Sequence, residues 1–151
     1  MRGKWHFVTT TIFIVFLWII FGLWLGKPYF NITQVIAAIP ISFFPDIDQN
    51  FKMLGHRNWF THSIILWVVI YLFNPHFIFL LLMLGIGFHC LMDIRLQPKK
   101  QVGYYTIKWY GYRGTNLKYS YKGMDGLLST YYLTINFAIS FIVFITIVLV
   151  N

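Results

Sequence analysis

Four long stretches of this chain contain no Asp, Glu, Lys or Arg, and they limit what the chain can fold into. They cover residues 5–26, 28–45, 58–92 and 126–151. Only 11% of the 151 residues are charged, whereas about 25% is usual for a soluble domain. Roughly 20 apolar residues in a helix span the hydrocarbon core of a bilayer, which is about 30 Å thick. The sequence therefore predicts one all-α integral membrane domain over residues 1–151.

These stretches predict about five helices, some transmembrane and some only partly inserted. The stretch 58–92 is too long for one crossing, and Asn74-Pro75 divides it because proline ends a helix. The stretch 30–44 is short and contains Pro40, so it either tilts and kinks across the bilayer or enters it in part. The first apolar run is longer than that of a signal peptide and is predicted to remain as a helix. The predicted helices cover residues 6–26, 30–44, 61–73, 76–94 and 127–150.

The cations predict an orientation. With five spans and a cytoplasmic amino terminus, 11 of the 12 Lys and Arg residues lie on the inside and only Lys27 lies outside. This distribution obeys the positive-inside rule. It predicts a multi-pass membrane protein with a cytoplasmic amino terminus, and it accounts for the net charge of +8 without nucleic-acid binding.

Three polar clusters fall at the same predicted membrane surface. Asp46 and Asp48 follow the second helix, His56 and His62 lead into the third, and HCLMD ends the fourth. Within HCLMD, the i, i+4 spacing of His89 and Asp93 places both side chains on one helical face. The clusters hold three of the chain's four acidic residues and three of its five histidines. Convergence of the clusters would place these groups in one site at the cytoplasmic side.

Imidazole and carboxylate are nitrogen and oxygen ligands that suit Zn²⁺, Mn²⁺ or Fe²⁺. Three carboxylates at a lipid boundary repel one another and lose hydration, and one or two divalent ions would offset that cost. The sequence predicts such a site, most readily for zinc, with the ligands Asp46, Asp48, His56, His62, His89 and Asp93. The alternative is that these side chains cap helices, as Thr61 can do, or pair with Lys52 and Arg57.

The order PDID, HR-x3-THS and H-x3-D at a helix end resembles the YdjM-like (DUF457) family of inner-membrane proteins, described as metal-dependent hydrolases. The resemblance covers about residues 36–110. It implies roles for seven residues: Asp46, Asp48, His56, Arg57, His62, His89 and Asp93. The chain departs from the family pattern at Gln49, where many relatives have histidine, and this leaves the number of ions open between one and two.

The hydrolase hypothesis assigns two further roles. Asp48 is either a metal ligand or the base that takes a proton from metal-bound water. Arg57 would bind an anionic phosphoryl group through its planar fork. A lipid phosphoester or another membrane-borne ester is the expected substrate. Two other classes stay open: a non-catalytic interaction protein that an ion stabilises, and a transporter, which the scarcity of polar residues along the third and fourth helices disfavours.

The loop 95–126 mixes aromatic and basic residues. YYTIKWY and LKYSYK read as strands on either side of the turn-like GYRGTN, so the loop is predicted to hold a small β-hairpin. An interfacial belt that contacts membrane lipids and anionic head groups explains this mixture better than single-stranded nucleic acid does.

Other polar and small residues are predicted to have structural roles. Asp125 is expected to cap the last helix. Gly85 and Gly87 are expected to allow close helix packing. Cys90 is expected to be a small buried thiol, and His6 is expected to lie at the membrane interface.

Overall fold

The computed structural model is a helical bundle with one small hairpin. It describes residues 3–27, 31–41, 44–50, 56–95, 102–103, 105–113 and 119–150. The α-helices are α1 (Gly3–Leu17), α2 (Ile32–Ile41), α3 (Ile65–Phe73), α4 (Phe77–Met92) and α5 (Gly126–Val150). A π-helical segment, Trp18–Trp24, continues α1, and a 3-10 helix, Phe44–Asn50, follows α2. The strands are β1 (Lys108–Arg113) and β2 (Tyr119–Gly123).

Local signals set the helix ends. The first helix closes at Gly26, whose φ of +63° is the left-handed conformation that glycine adopts readily. Asn74, before Pro75, leaves the helical region with φ −143° and ψ 88°, and it separates α3 from α4. The Asp125 carboxylate accepts a hydrogen bond from the Leu128 N–H at 2.8 Å, so the predicted cap of α5 is confirmed.

Helix α4 is the centre of the bundle, because it packs against α1, α2, α3 and α5. Its segment from Leu80 to Gly87 is buried throughout. The two longest helical segments instead expose large apolar side chains, among them Ile12, Phe16, Leu23, Ile135 and Ile142. The core therefore surrounds a short central helix, while much of the outer surface remains apolar.

Among the described residues, two helical segments are long and apolar enough to cross a membrane, His6–Trp24 and Gly126–Val150. Helix α4 is apolar but has only 16 residues. Helices α2 and α3 have 10 and 9 residues, shorter than the roughly 20 that a crossing needs. The third helix begins at Ile65, four residues later than predicted, because residues 59–62 form turns.

The predicted hairpin is confirmed. Strands β1 and β2 pair antiparallel, with Tyr112 opposite Ser120, and the register shifts between Lys108 and Tyr110. Residues 114–118, which include part of the predicted turn, lie outside the described chain. A parallel bridge between Asn58 and Lys108 ties the hairpin to the segment before α3.

Gly87 marks the closest approach of α4 and α5. A Cβ atom at this position would meet the Ser140 Oγ at 1.9 Å and the Ser140 Cβ at 2.8 Å. Both separations are far below van der Waals contact, so the two helices fit together only because residue 87 has no side chain. The packing role predicted for Gly87 is thus confirmed.

Gly87→Val is expected to destabilise the bundle by about 1–3 kcal/mol or more, because overpacking forces α4 and α5 apart. Thermal unfolding of the purified protein in detergent measures this. The double variant Gly87→Val with Ser140→Gly should recover part of the loss, since it opens the space that the added methyl groups need. An unchanged unfolding temperature in the single variant would contradict the close contact.

Candidate metal centre

Five side chains from four parts of the chain meet at one end of the bundle. We call His6, Asp46, His62, His89 and Asp93 the histidine–aspartate cluster. His6 lies near the start of α1, Asp46 in the 3-10 helix, His62 in the turn before α3, and His89 and Asp93 at the end of α4. All except Asp46 are at most 3% exposed.

The ring nitrogens and carboxylate oxygens of the cluster face one another. The Nε2 atom of His62 lies 3.1 Å from the Asp93 Oδ2. The Nε2 atom of His89 lies 3.7 Å from that same oxygen and 3.8 Å from the Asp46 Oδ1. Two ligands of one tetrahedral zinc ion, with bonds of 2.0–2.1 Å, are separated by about 3.4 Å. The cluster therefore has the spacing of donor atoms that share a cation.

His89 is the member of the cluster that protein contacts explain least. Its ring is 0% exposed, and neither nitrogen has a hydrogen-bond partner in the part of the chain that the structure describes. A buried polar group without a partner costs about 1–3 kcal/mol. The Nε2 atom nevertheless faces two carboxylates at distances too long for hydrogen bonds. A cation between them would satisfy all three groups.

Asp48 supports His62 from behind. Its Oδ2 accepts hydrogen bonds from the Asn58 N–H at 2.7 Å and the Thr61 hydroxyl at 2.8 Å, and it lies 3.3 Å from the His62 Nδ1. A proton on Nδ1 of His62 leaves Nε2 free to accept a hydrogen bond or to bind a cation. The Thr61 hydroxyl thus donates to Asp48 and does not cap α3, and the N–H of Ile65, the first residue of α3, instead donates to the Ser63 hydroxyl at 3.1 Å.

Arg57 supports Asp93 in a similar way. Its guanidinium donates to the Asp93 Oδ1 at 2.5 Å, to the Asp93 carbonyl at 2.6 Å and to the Tyr105 carbonyl at 2.9 Å. The residue is only 2% exposed and adopts a φ of +66°. The guanidinium is thus bonded inside the protein, whereas the predicted phosphoryl-binding role requires a guanidinium that can reach a substrate. It fixes Asp93 so that Oδ2 points at His62 and His89.

The pKa values of these groups follow from the same contacts. Burial by itself raises the pKa of Asp48 and Asp93, but hydrogen bonds with histidines and nearby positive charges hold both well below their usual range. Burial by itself lowers the pKa of His62, but hydrogen bonds with Asp48 and Asp93 outweigh it and raise that pKa to about 9. A cation that binds Nε2 must therefore displace a proton from His62, and binding should strengthen as the pH rises.

This protonation partly supports the alternative reading of the cluster. Without a metal, the positive charges of His62 and Arg57 balance the negative charges of Asp48 and Asp93. Repulsion among carboxylates is therefore a weaker reason to expect a cation than the sequence suggested. The partnerless imidazole of His89 is the stronger reason.

The predicted ligands divide into two groups. The structure brings Asp46, His62 and His89 together, with one ligand atom of each within 4.8 Å of the others, and Asp93 lies beside them. It places Asp48 and His56 behind His62: the His56 Nδ1 lies 3.4 Å from the Asp48 Oδ1, and the His56 side chain is 23% exposed. Neither residue belongs to a described group of converging ligand atoms. Asp48 is therefore better placed to orient a ligand than to be one.

His6 is the cluster residue that the sequence analysis missed. It was expected at the membrane interface, but it is only 3% exposed, and its ring centroid lies 4.8 Å from that of His89. With His89 and Asp93 it forms a second group whose ligand atoms lie within 4.8 Å of one another. The sequence signal for His6 is weak, because this single histidine lies in an apolar run and no other candidate ligand lies at a helical spacing from it.

Polar residues of α5 hold the segment that carries His62. The Asn136 side-chain oxygen accepts a hydrogen bond from the Ile64 N–H at 2.9 Å, and the Tyr132 hydroxyl donates to the Trp59 carbonyl at 2.6 Å. Ser129 accepts the Ile107 N–H at 2.9 Å, which anchors the start of the hairpin. These residues were not singled out from the sequence, although Ser129, Tyr132, Asn136 and Ser140 recur at helical spacing along α5.

No protein-family model, curated protein or solved structure matches the chain. The geometry of the cluster is therefore the main basis for a functional proposal.

Proposed function

We propose that the protein is a multi-pass inner-membrane protein with a divalent metal centre at its cytoplasmic end. The partnerless imidazole of His89, which faces Asp46 and Asp93, carries this proposal. The two long apolar helical segments and their exposed apolar side chains support membrane insertion. The cation distribution supports the orientation, because Arg57, Arg95, Lys108 and Lys122 all belong to the segments beside the cluster.

We propose further that the centre serves a hydrolase that acts on a lipid-borne phosphoester or another ester at the membrane surface. A bound divalent ion would polarise an ester oxygen and lower the pKa of a water molecule. His62, His89 and Asp93 are closed off from solvent, but the Asp46 side chain is 19% exposed. Asp46 therefore marks the side from which a substrate can approach. The resemblance to the YdjM-like family supports the same reaction class.

Asp48 and Arg57 then affect the bound ion indirectly, because each holds one of its ligands. Asp48 holds His62 in the tautomer that presents Nε2 to the ion, and Arg57 holds Asp93. These are positioning roles, and they replace the base and the phosphoryl-binding group proposed from the sequence.

The hairpin side of the site is proposed to contact lipid head groups. Tyr105, Trp109 and Tyr110 are 40–49% exposed, and Phe60, in the segment that bridges to the hairpin, is 45% exposed. Exposed aromatic rings of this kind suit the interfacial region of a bilayer. Lys122 is exposed on the paired strand, and each cation near an anionic surface contributes about 1 kcal/mol of attraction.

A second candidate function is a non-catalytic interaction protein in which the ion only ties the helices together. The nearly complete burial of His62, His89 and Asp93 favours it. The two functions differ at the coordination sphere, since a catalytic site keeps a position open for water or substrate.

An activity assay separates the two functions. Metal-loaded protein in lipid vesicles is expected to hydrolyse a member of a panel of phospholipid and acyl-ester substrates, and chelation should abolish that activity. Asp46→Ala should lower the rate at least tenfold, because this residue faces the open side. His76→Ala, which changes an exposed histidine at the opposite end of α4, should match the unmodified protein. A fully metal-loaded protein that hydrolyses no member of the panel would favour the non-catalytic function.

A further inference from the structure

His6 is buried where α1 meets the end of α4, and ordinary side-chain contacts do not explain its placement. Its Nδ1 has no hydrogen-bond partner within the described ranges, and its Nε2 lies 3.6 Å from the Asp93 Oδ1. That separation is too long for a hydrogen bond. The His6 ring thus resembles that of His89: buried, incompletely bonded and close to the same carboxylate.

The two converging groups share one residue. His6, His89 and Asp93 form one group, and Asp46, His62 and His89 form the other. An imidazole nitrogen has a single lone pair, and the Nε2 of His89 is the nitrogen that faces both aspartates. Both groups contain His89, so an ion bound to its Nε2 would lie between the His6 side and the Asp46 side of the cluster. A separate second ion beside His6 would instead sit next to the Arg57 guanidinium, which already binds the Asp93 Oδ1.

We propose that His6 is a fifth protein ligand of the same ion, delivered by the first membrane helix. This inference rests on the proposed metal centre and adds its geometry and its metal preference. Five nitrogen and oxygen donors exceed the four of a tetrahedral zinc site and leave one position of an octahedron for water or substrate. The site would therefore suit the six-coordinate geometry of Mn²⁺ or Fe²⁺, and it would hold Zn²⁺ at a coordination number above its usual four.

The neighbouring contacts show that α1 is held in place for this role. The Thr9 hydroxyl lies 2.9 Å from the Met92 sulfur, and the rings of Phe13 and Phe88 stack with centroids 4.1 Å apart. Both contacts join α1 to α4 on the side where His6 meets His89. Metal binding through His6 would fasten the first long apolar helix to the central one.

The test compares His6→Ala with Thr10→Val in the full-length protein. Thr10 lies one turn after His6, is 1% exposed, and has a hydroxyl without a hydrogen-bond partner among the described residues. Thr10→Val therefore changes a buried polar position of α1 without removing a ligand atom. Each purified variant is titrated with Mn²⁺ and Zn²⁺, and the visible absorption of its Co²⁺ form is recorded.

His6→Ala is expected to weaken Mn²⁺ binding at least tenfold, to weaken Zn²⁺ binding less, and to strengthen the Co²⁺ absorption as the coordination number falls. Thr10→Val should behave like the unmodified protein. Equal metal affinities and equal Co²⁺ spectra in His6→Ala and the unmodified protein would overturn the fifth-ligand role. His6→Gln, which keeps a polar side chain of similar length, provides the comparison if the alanine variant does not fold.

The outcome distinguishes this inference from the proposed centre itself. If His6→Ala has no effect while His89→Ala loses its metal, the centre stands and only the role of His6 fails. If the unmodified protein binds none of the three ions, both fail.

Discussion

Replacing His89 or His62 by alanine is expected to remove the bound metal. Both imidazoles are fully buried, and the Nε2 atom of each lies within 3.7 Å of the same Asp93 oxygen. A structural zinc site with four ligands contributes about 10–16 kcal/mol in total, so one ligand accounts for about 100- to 1,000-fold in affinity. Metal analysis of protein purified without chelators should fall from about one ion per chain to almost none.

The matched control for this loss is His76→Ala. His76 is exposed and precedes α4 at the end opposite to the cluster, so its removal should leave the metal content unchanged. His89→Gln is the second variant to measure if His89→Ala does not fold, since it keeps a polar side chain at this buried position. Full metal content in both His89→Ala and His62→Ala would rule out the proposed ligand set.

Asp48→Asn is expected to weaken metal binding by about 10- to 100-fold without abolishing it. The carboxylate lies 3.3 Å from the His62 Nδ1 and sets the tautomer that exposes Nε2, and the loss of such an outer carboxylate typically has an effect of this size. An amide at this position keeps the shape of the side chain but has one acceptor oxygen for the donors of Asn58, Thr61 and His62.

The measurement is a competition titration of Asp48→Asn against a chelator, with the unfolding temperature recorded in the metal-free state. Thr61→Val is the control, since it removes one donor to Asp48 and the hydroxyl that lies 3.1 Å from the His62 Nδ1 but leaves the carboxylate beside His62. It should change the affinity several-fold less than Asp48→Asn does. An unchanged affinity in Asp48→Asn would show that His62 does not depend on this contact. Complete loss of the ion would instead restore Asp48 as a direct ligand.

Much of the fold could be predicted from the sequence because the signals were local. Charge-free runs located the helices, Asn74-Pro75 located the break between α3 and α4, and Asp125 located the start of α5. The beginning of α3 was misplaced because Thr61 and His62 make tertiary contacts with Asp48 and Asp93. Those contacts outweigh the helical tendency of the apolar run, and no local pattern reports them.

The site could be predicted only in part. The alternating direction of the helices correctly placed Asp46, His62, His89 and Asp93 at one end of the bundle. Some of the predicted residues face the pocket and others only contact those residues. Which residue does which depends on the direction of its side chain, and the spacing of residues in the sequence does not report that direction. Asp48 and Arg57 therefore have different surroundings from those expected, and His6 was missed because its partners are more than 80 positions away in the sequence.

The metal centre is tested most directly by locating the ion. Anomalous X-ray diffraction from crystals of protein purified without chelators would show the metal as a single peak. We expect one peak bonded to the Nε2 atoms of His62 and His89, to carboxylate oxygens of Asp46 and Asp93, and to a ring nitrogen of His6. A metal-free pocket in which the ring nitrogens of His89 hydrogen-bond only to protein or water would contradict it.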